Sequence, residues 1–122
     1  MKGFYMETKR NEDQMSLTEL FGKYDFHDSY IDYFNYDPDS KRLILCLVLC
    51  EGQETEKCEI AFFNVRKLNI EADNDEYEEN ELISAEVSSD DGEYFKGFLS
   101  EGFGKAGKLI EIKCDKVRYS LL

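Results

Sequence analysis

The chain has little basic charge and no long apolar run, and these absences exclude two classes of partner. Its 122 residues include 15 basic residues against 27 acidic ones, which leaves a formal net charge of -12. Such a charge repels phosphate backbones and anionic lipid head groups, so we expect neither nucleic acid nor membrane as a partner. No stretch approaches the roughly eighteen apolar residues of a membrane span, and no signal-like opening is present. We therefore expect a cytoplasmic protein.

Histidine and cysteine are also scarce, which limits metal and cofactor chemistry. His27 is the only histidine, and a metal-dependent phosphohydrolase would need several. The four cysteines lack the close pairs of a zinc site, because Cys46 and Cys50 are four apart in a predicted strand. Three of them lie in apolar runs, which is typical of buried, reduced thiols. Residues 102–107 match G-x-G-x-x-G, but an alternating strand-like segment follows instead of a helix. We expect no metal and no cofactor.

The N-terminal part predicts one short amphipathic helix. Ser16-Leu17-Thr18-Glu19 has the pattern of a capping box, in which Ser16 accepts from the amide of Glu19. Apolar residues then recur at helical spacing as far as Tyr24, so we predict a helix over about 17–23. The polar residues 1–14 before it are interpreted as a flexible arm or an edge strand.

The rest of the chain predicts short antiparallel strands. Asp37-Pro38-Asp39-Ser40 is a turn signal between strands at 30–36 and 41–50. The second of these is apolar on both faces, which is typical of a central, covered strand. A polar turn is predicted at 52–57, and the later strands are predicted at 58–65, around Leu68 and Ile70, and at 82–87, 94–99, 109–114 and 117–121, with a bulge at Asp115. This spacing predicts a mainly β, single-domain fold, an antiparallel β-sandwich or a partly open barrel.

Residues 71–81 form an acidic segment that interrupts the strands. Seven of its eleven residues are acidic, which indicates a solvated loop. An acidic surface favours basic partners and speeds association with them at low salt, although it also serves solubility alone. The candidate partner-binding residues are Asp73, Asp75, Glu76, Glu78 and Glu79.

The sequence around the single histidine carries two alternative interpretations. His27 beside Asp28 suggests a general base oriented by a carboxylate. Adjacent residues in a strand point to opposite faces, however, so Asp28 is badly placed to orient its neighbour. Side chains of this type also cap strand or helix ends by bonding to the backbone. The candidate signature or pocket residues are Phe26, His27, Asp28, Ser29 and Tyr30, and we assign no catalytic residue.

Phe26-His27-Asp28-Ser29, followed by an alternating segment, an acidic turn and a leucine-rich strand, resembles the opening of small uncharacterised bacterial domains with a hydrophobic-His-Asp-Ser signature. Residues 62–68 resemble the aromatic-Asn-Val block of those domains, and the resemblance covers about 18–70. Some of these domains resemble immunity proteins, which neutralise a toxin by binding it. The resemblance therefore implies a toxin as the partner, and it implies no catalytic residue. The acidic charge of the chain predicts that this partner is basic.

Three hypotheses of function follow. The first is a non-enzymatic, immunity-like binding protein that engages a basic protein through its acidic surface. The alternative is a small-ligand binder or hydrolase with a pocket around His27, whose activity would titrate near the imidazole pKa of about 6.5. The third is a homodimer formed through apolar edge strands.

Overall fold

The protein is mainly β, with a short helix packed against two four-stranded antiparallel sheets. A computed structural model describes residues 15–24, 26, 29–51, 54–71, 81–100 and 106–122. The elements are α1 (Leu17–Lys23), β1 (Tyr30–Asp37), β2 (Arg42–Glu51), β3 (Glu54–Phe63), β4 (Lys67–Ile70), β5 (Leu82–Ser88), β6 (Glu93–Ser100), β7 (Ala106–Cys114) and β8 (Lys116–Leu121). One sheet has the order β1-β2-β3-β8 and the other β4-β7-β6-β5. The predicted mainly β fold with a short N-terminal helix is confirmed.

The two sheets bury a common apolar core. β2 lies between β1 and β3, as its two apolar faces predict. Its leucines enter the core, while Cys46 and Val48 on the opposite face are also buried. The other sheet contributes Phe95, Leu99, Ile110 and Ile112. Because each such side chain stabilises the fold by about 1.5–3 kcal/mol when buried, this core holds the sheets together.

The predicted helix forms over the predicted residues, and its first turn is held from two directions. The Ser16 hydroxyl accepts from the amide of Glu19 at 3.0 Å, which is the expected capping bond. The amide of Leu17 donates to the carboxylate of Glu93 in β6 at 2.6 Å. Leu17 and Leu20 are fully buried, so one face of the helix completes the core. The described residues contain no helix long and apolar enough to cross a membrane.

The chain passes from one sheet to the other at a shared bend. β3 leads to β4 through Asn64, Val65 and Arg66, and β7 leads to β8 through Asp115. The amide of Asp115 donates to the Phe63 carbonyl at 3.0 Å, so pairing continues around the bend. The Asp115 carboxylate accepts from the Asn64 side-chain amide and pairs with Arg66 at 3.3 Å. The predicted irregularity at Asp115 is therefore the point where the strand changes sheet.

Several strand boundaries differ from the prediction. β3 begins at Glu54, inside the predicted polar turn, because Glu54 to Lys57 pair with the end of β2. It ends at Phe63, since Asn64 has a left-handed φ of 55°. β7 begins at Ala106 rather than Leu109 because it continues to pair with β6. Backbone pairing, which does not need apolar side chains, sets these ends. Residues 1–14 lie outside the described residues.

Candidate functional site

Only some of the predicted site residues belong to the described part of the chain. Phe26, Ser29 and Tyr30 are described, whereas His27 and Asp28 lie outside the described residues. The five acidic candidates also lie outside them, namely Asp73, Asp75, Glu76, Glu78 and Glu79. The geometry of the site is therefore given by the residues that flank the His27-Asp28 pair and the acidic segment.

Aromatic side chains fix the chain where it leaves the helix. The amide of Tyr24 donates to the Leu20 carbonyl at 3.1 Å and ends the helix. The Tyr24 ring stacks on Tyr119 of β8, with 4.6 Å between the ring centroids. Phe26 is buried and lies 4.7 Å from the ring of Phe21. The residue before His27 is thus part of the core.

Ser29 ties the same segment to the second sheet. Its buried hydroxyl donates to the Phe26 carbonyl at 2.6 Å, which is the side-chain to backbone bond predicted for this residue. The Ser29 carbonyl accepts from the amide of Leu82 at 2.7 Å. Tyr30 then forms an isolated bridge with Glu81, the last residue of the acidic segment. The signature and the acidic segment therefore meet at the start of β5.

An open cleft of about 430 Å³ lies between the end of the helix and β5. We call it the helix–β5 cleft. Its lining is mostly apolar, and Lys23 and Ser84 supply polar groups. A Cβ atom added at Gly22 would meet no atom within 4 Å, so the space beside this residue is open. The lining residues are Phe21, Gly22, Lys23, Tyr24, Phe26, Leu82, Ile83, Ser84 and Ala85.

β5 forms one edge of its sheet, because it pairs with β6 and with no other described strand. The register shifts between Leu82 and Ser84, which makes Ile83 the extra residue of a bulge. From Ser84 to Ser88 the pairing is regular. Alternate backbone amides and carbonyls of a strand at a sheet edge point away from the sheet, and the Leu82 amide at the start of β5 is engaged by Ser29.

Most described carboxylates face solvent. A set of exposed acidic side chains forms no ion pair with another described residue; it comprises Glu19, Asp39, Glu56, Glu86, Asp90 and Asp91. These carboxylates contribute to the excess of acidic over basic residues that gives the chain its net charge of -12. Such a surface attracts cationic groups over a distance of about 8–10 Å at physiological salt.

A second, polar cleft of about 280 Å³ lies on the outer face of the β4-β7-β6-β5 sheet. The hydroxyl of Tyr94 donates to Glu111 at 2.6 Å, and Lys67 pairs with the same carboxylate at 3.3 Å. The Tyr94 bond lowers the pKa of Glu111 and raises the pKa of Tyr94 to about 12. Tyr94, Glu111 and Lys67 are thus engaged with each other, as in an ordinary surface network.

The outer face of the other sheet carries a cluster of basic residues around one aromatic ring. The charged groups of Arg42, Lys116 and Arg118 lie 5.3–5.9 Å from the ring centroid of Phe63. None of the three forms an ion pair within the described part of the chain, although Asp37 is paired with Arg42 in the strand register. Contacts of this kind contribute about 0.5–1 kcal/mol each at exposed sites. We call Arg42, Lys116 and Arg118 the basic face. None of these three residues lines the helix–β5 cleft.

The described thiols are buried and poorly suited to nucleophilic chemistry. Cys46, Cys58 and Cys114 are free and buried, as predicted. Desolvation raises the pKa of Cys58 and of Cys114 to about 12. At neutral pH these groups are therefore protonated, and the thiolate is the nucleophilic form. The described residues hold no group of three or more side chains arranged to bind a metal ion.

Sequence reasoning missed the helix–β5 cleft and the basic face. Ile83 and Ser84 have no polar motif, and Gly22 is an unremarkable glycine in a helix. The cleft arises because the helix end and the edge of β5 come together, and strand order is not encoded in local periodicity. The basic face does have a signal, since Arg42 precedes the buried Leu43 in β2, and Lys116 and Arg118 alternate with the buried Val117 and Tyr119 in β8. β2 and β8 lie on either side of β3, which carries Phe63.

No family model, no curated protein and no solved structure matches this chain in the three comparisons.

Proposed function

We propose that the protein is a non-enzymatic binding protein that engages a basic protein partner through its acidic surface. The observation that supports this most is the set of exposed carboxylates without ion-pair partners among the described residues. Unpaired surface carboxylates attract a cationic partner and accelerate the encounter. The resemblance to immunity-like bacterial domains points in the same direction, and it suggests a toxin as the basic partner and the cytoplasm as its place of action.

The acidic segment has seven acidic residues among its eleven, and its two end residues, Glu71 and Glu81, are held by the sheet. The amide of Glu71 donates to the Leu109 carbonyl at 2.9 Å, and its carboxylate accepts from the Leu109 amide at 2.9 Å. At the other end, the Glu81 carbonyl accepts from Ser100 at 2.9 Å. Fixed ends reduce the entropy that binding must overcome.

The first experiment captures partners of the tagged protein from lysate of its own organism, at low and at physiological salt, with identification by mass spectrometry. A stoichiometric basic protein that is lost as salt rises supports the proposal. Its association rate is then measured for a variant in which Asp73, Asp75, Glu76, Glu78 and Glu79 are replaced by Asn or Gln. We expect slower association and a weaker salt dependence.

A matched pair of variants separates position from net charge. One removes three charges inside the acidic segment, at Asp73, Asp75 and Glu76, and the other removes three at exposed positions elsewhere, at Glu19, Asp39 and Glu56. The proposal requires both variants to associate more slowly than the wild type, and a larger loss for the first variant would locate the main contact at the acidic segment. Equal association rates for both variants and the wild type would contradict it.

One observation favours a second candidate function, the binding of a small ligand near His27. The helix–β5 cleft is lined by Phe26, the residue before His27, and its volume is within the usual range of ligand pockets. A thermal-shift screen of small apolar and hydroxylated compounds tests this candidate. A hit whose affinity changes around pH 6.5 and is lost in His27→Gln supports it. Hits that are unchanged by His27→Gln would remove His27 from the site.

A further inference from the structure

The three cations of the basic face converge on one aromatic ring. Phe63 points outward from the β1-β2-β3-β8 sheet, because its neighbour Phe62 lies in the core. The charged groups of Arg42, Lys116 and Arg118 all lie within 5.9 Å of the centroid of the Phe63 ring. Three like charges at such short separations repel one another, and an anion placed among them would relieve this repulsion.

The described part of the chain provides no such anion. None of the three cations forms a hydrogen bond or an ion pair with a described residue. Asp37 lies opposite Arg42 in the strand register, but its carboxylate accepts from the Asp39 amide and the Ser40 hydroxyl, each at 3.0 Å. The cations of the basic face are therefore available to a partner.

The other charged side chains on this surface of the sheet and at its rim leave a small positive excess. Two ion pairs cancel, one between Lys57 and Asp32 at 3.0 Å and one between Arg66 and Asp115 at 3.3 Å. The remaining charged side chains that the structure describes there are four basic and three acidic, namely Lys41, Arg42, Lys116, Arg118, Asp37, Asp39 and Glu59.

The positive excess is concentrated around Phe63. Glu59 is four residues away in β3, which is about 13 Å at a rise of about 3.3 Å per residue. Lys41 and Asp39 belong to the same turn and offset each other. Three cations thus share the neighbourhood of the ring with one carboxylate, although the chain as a whole has a net charge of -12.

Apolar side chains adjoin the basic face and give it the composition of a protein interface. Phe63 and Ile44 are partly exposed, and Ala61 lies between Ile44 in β2 and Arg118 in β8. Aromatic and arginine side chains are enriched at the centres of protein interfaces and among the residues that dominate binding. None of these residues lines either of the two open clefts, so the surface suits a protein segment better than an enclosed small molecule.

The charge on the partner is best supplied by carboxylates. A guanidinium that lies over an aromatic ring keeps the donors at its edge available, and their planar fork matches a carboxylate. A nucleic acid would extend its phosphates along the acidic surface beyond the basic face and would be repelled there. A short segment with a few carboxylates meets the local cations at close range, whereas charges more than about 8–10 Å away are screened at physiological salt.

We propose that the basic face, together with Phe63 and Ile44, is a docking surface for an acidic segment of a protein partner. Carboxylates of the segment pair with the three cations, and an apolar side chain of the segment covers the Phe63 ring. This surface has the opposite charge to the one assigned to the basic partner, so the inference does not rest on the proposed function.

The test begins with a displayed library of short random peptides, selected against the full chain. Counter-selection uses a triple variant in which each residue of the basic face is replaced by Gln. A control triple variant removes the same number of positive charges at exposed lysines outside this surface, by the substitutions Lys23→Gln, Lys67→Gln and Lys113→Gln. Both variants have the same net charge, and circular dichroism with urea unfolding confirms that both fold.

Selected peptides are then measured by fluorescence anisotropy. We expect them to be rich in Asp and Glu with at least one apolar residue, and to bind the basic-face variant about tenfold or more weakly than the wild type. The control variant should bind as the wild type does. A double variant with Arg42→Lys and Arg118→Lys keeps the charge and loses the fork, so its binding should be weaker than that of the wild type. Amide chemical shifts should change at 61–63 and 116–118 and little in β5.

Four outcomes would overturn the inference. The first is a selection that returns no peptide dependent on the basic face, and the second is an equal loss of binding in the basic-face and control variants. The third is a single-stranded oligonucleotide probe that binds the basic face more tightly than any acidic peptide, which would assign the surface to nucleic acid. The fourth is self-association of the wild type, seen by sedimentation and lost in the basic-face variant, which would assign the surface to a second copy of the chain.

Discussion

Glu93 provides the sharpest test of how the helix is attached. It lies in β6, 76 residues from Leu17 in sequence, yet its carboxylate accepts the first free amide of the helix at 2.6 Å. The same oxygen accepts from the Ser89 hydroxyl at 3.0 Å, and Ser89 in turn contacts the hydroxyl of Thr18 at 3.1 Å. A residue of the sheet therefore completes the cap that Ser16 begins.

Two contributions set the expected effect of replacing Glu93. A hydrogen bond to a charged group contributes about 1.5–3 kcal/mol, and a negative charge at a helix N-terminus adds about 0.3–1 kcal/mol. Because the site is only partly buried, we expect Glu93→Ala to lower the free energy of unfolding by about 2–3 kcal/mol. Glu93→Gln keeps an acceptor and loses the charge, so its loss should be about 0.5–1 kcal/mol.

Urea unfolding followed by far-ultraviolet circular dichroism measures these losses. Glu86→Ala is the matched control, because Glu86 is an exposed glutamate in the adjacent strand, where substitutions usually change stability by about 0.5 kcal/mol or less. If Glu93→Ala is no more destabilising than Glu86→Ala, the cap from the sheet does not stabilise the protein. Equal losses of unfolding free energy for Glu93→Ala and Glu93→Gln would refute the assignment of separate contributions to the hydrogen bond and to the negative charge.

Three further predictions concern glycines and thiols. Gly22→Ala should raise the free energy of unfolding by about 0.5–1 kcal/mol in the same assay, because the added methyl group meets no atom and favours the helix; a loss would contradict the open space. Gly97→Ala should lower the free energy of unfolding by about 1–3 kcal/mol, since the new Cβ would lie 2.8 Å from Ile110. An unchanged free energy of unfolding would show that the neighbouring side chains move aside at no cost. Cys58 and Cys114 should resist a thiol reagent at pH 8 until urea unfolds the chain, because burial raises the pKa of each to about 12. Rapid labelling of the folded protein would contradict this.

The helix and most strands could be predicted from local patterns. The capping box at Ser16 and the spacing of Leu17 and Leu20 predict the helix. The predicted turn forms at 37–40, where the Asp37 carboxylate accepts from the Asp39 amide and from the Ser40 hydroxyl, each at 3.0 Å. The strand ends were less predictable. Glu54 to Lys57 are polar and look like a turn, but pairing with β2 depends on backbone groups that every residue carries.

The candidate site was harder to predict than the fold. Ser29 behaves as the sequence suggested, but its role in joining the signature to Leu82 depends on a contact between residues 53 positions apart. The helix–β5 cleft depends on the same joining of distant segments, and Gly22 gains significance only from the open space beside it. The spacing of apolar residues along the sequence does not indicate which distant segments come into contact.

The shared bend at Asp115 has a consequence for how the protein opens. Because β3 continues to β4 and β7 continues to β8, one pair of neighbouring strands belongs to both sheets. Neither sheet can separate from the core while this pair stays intact, so both sheets belong to one cooperative unit. Amides on either side of the bend, such as those of Phe62 and Ile112, should therefore exchange their hydrogens at the same free energy, that of global unfolding.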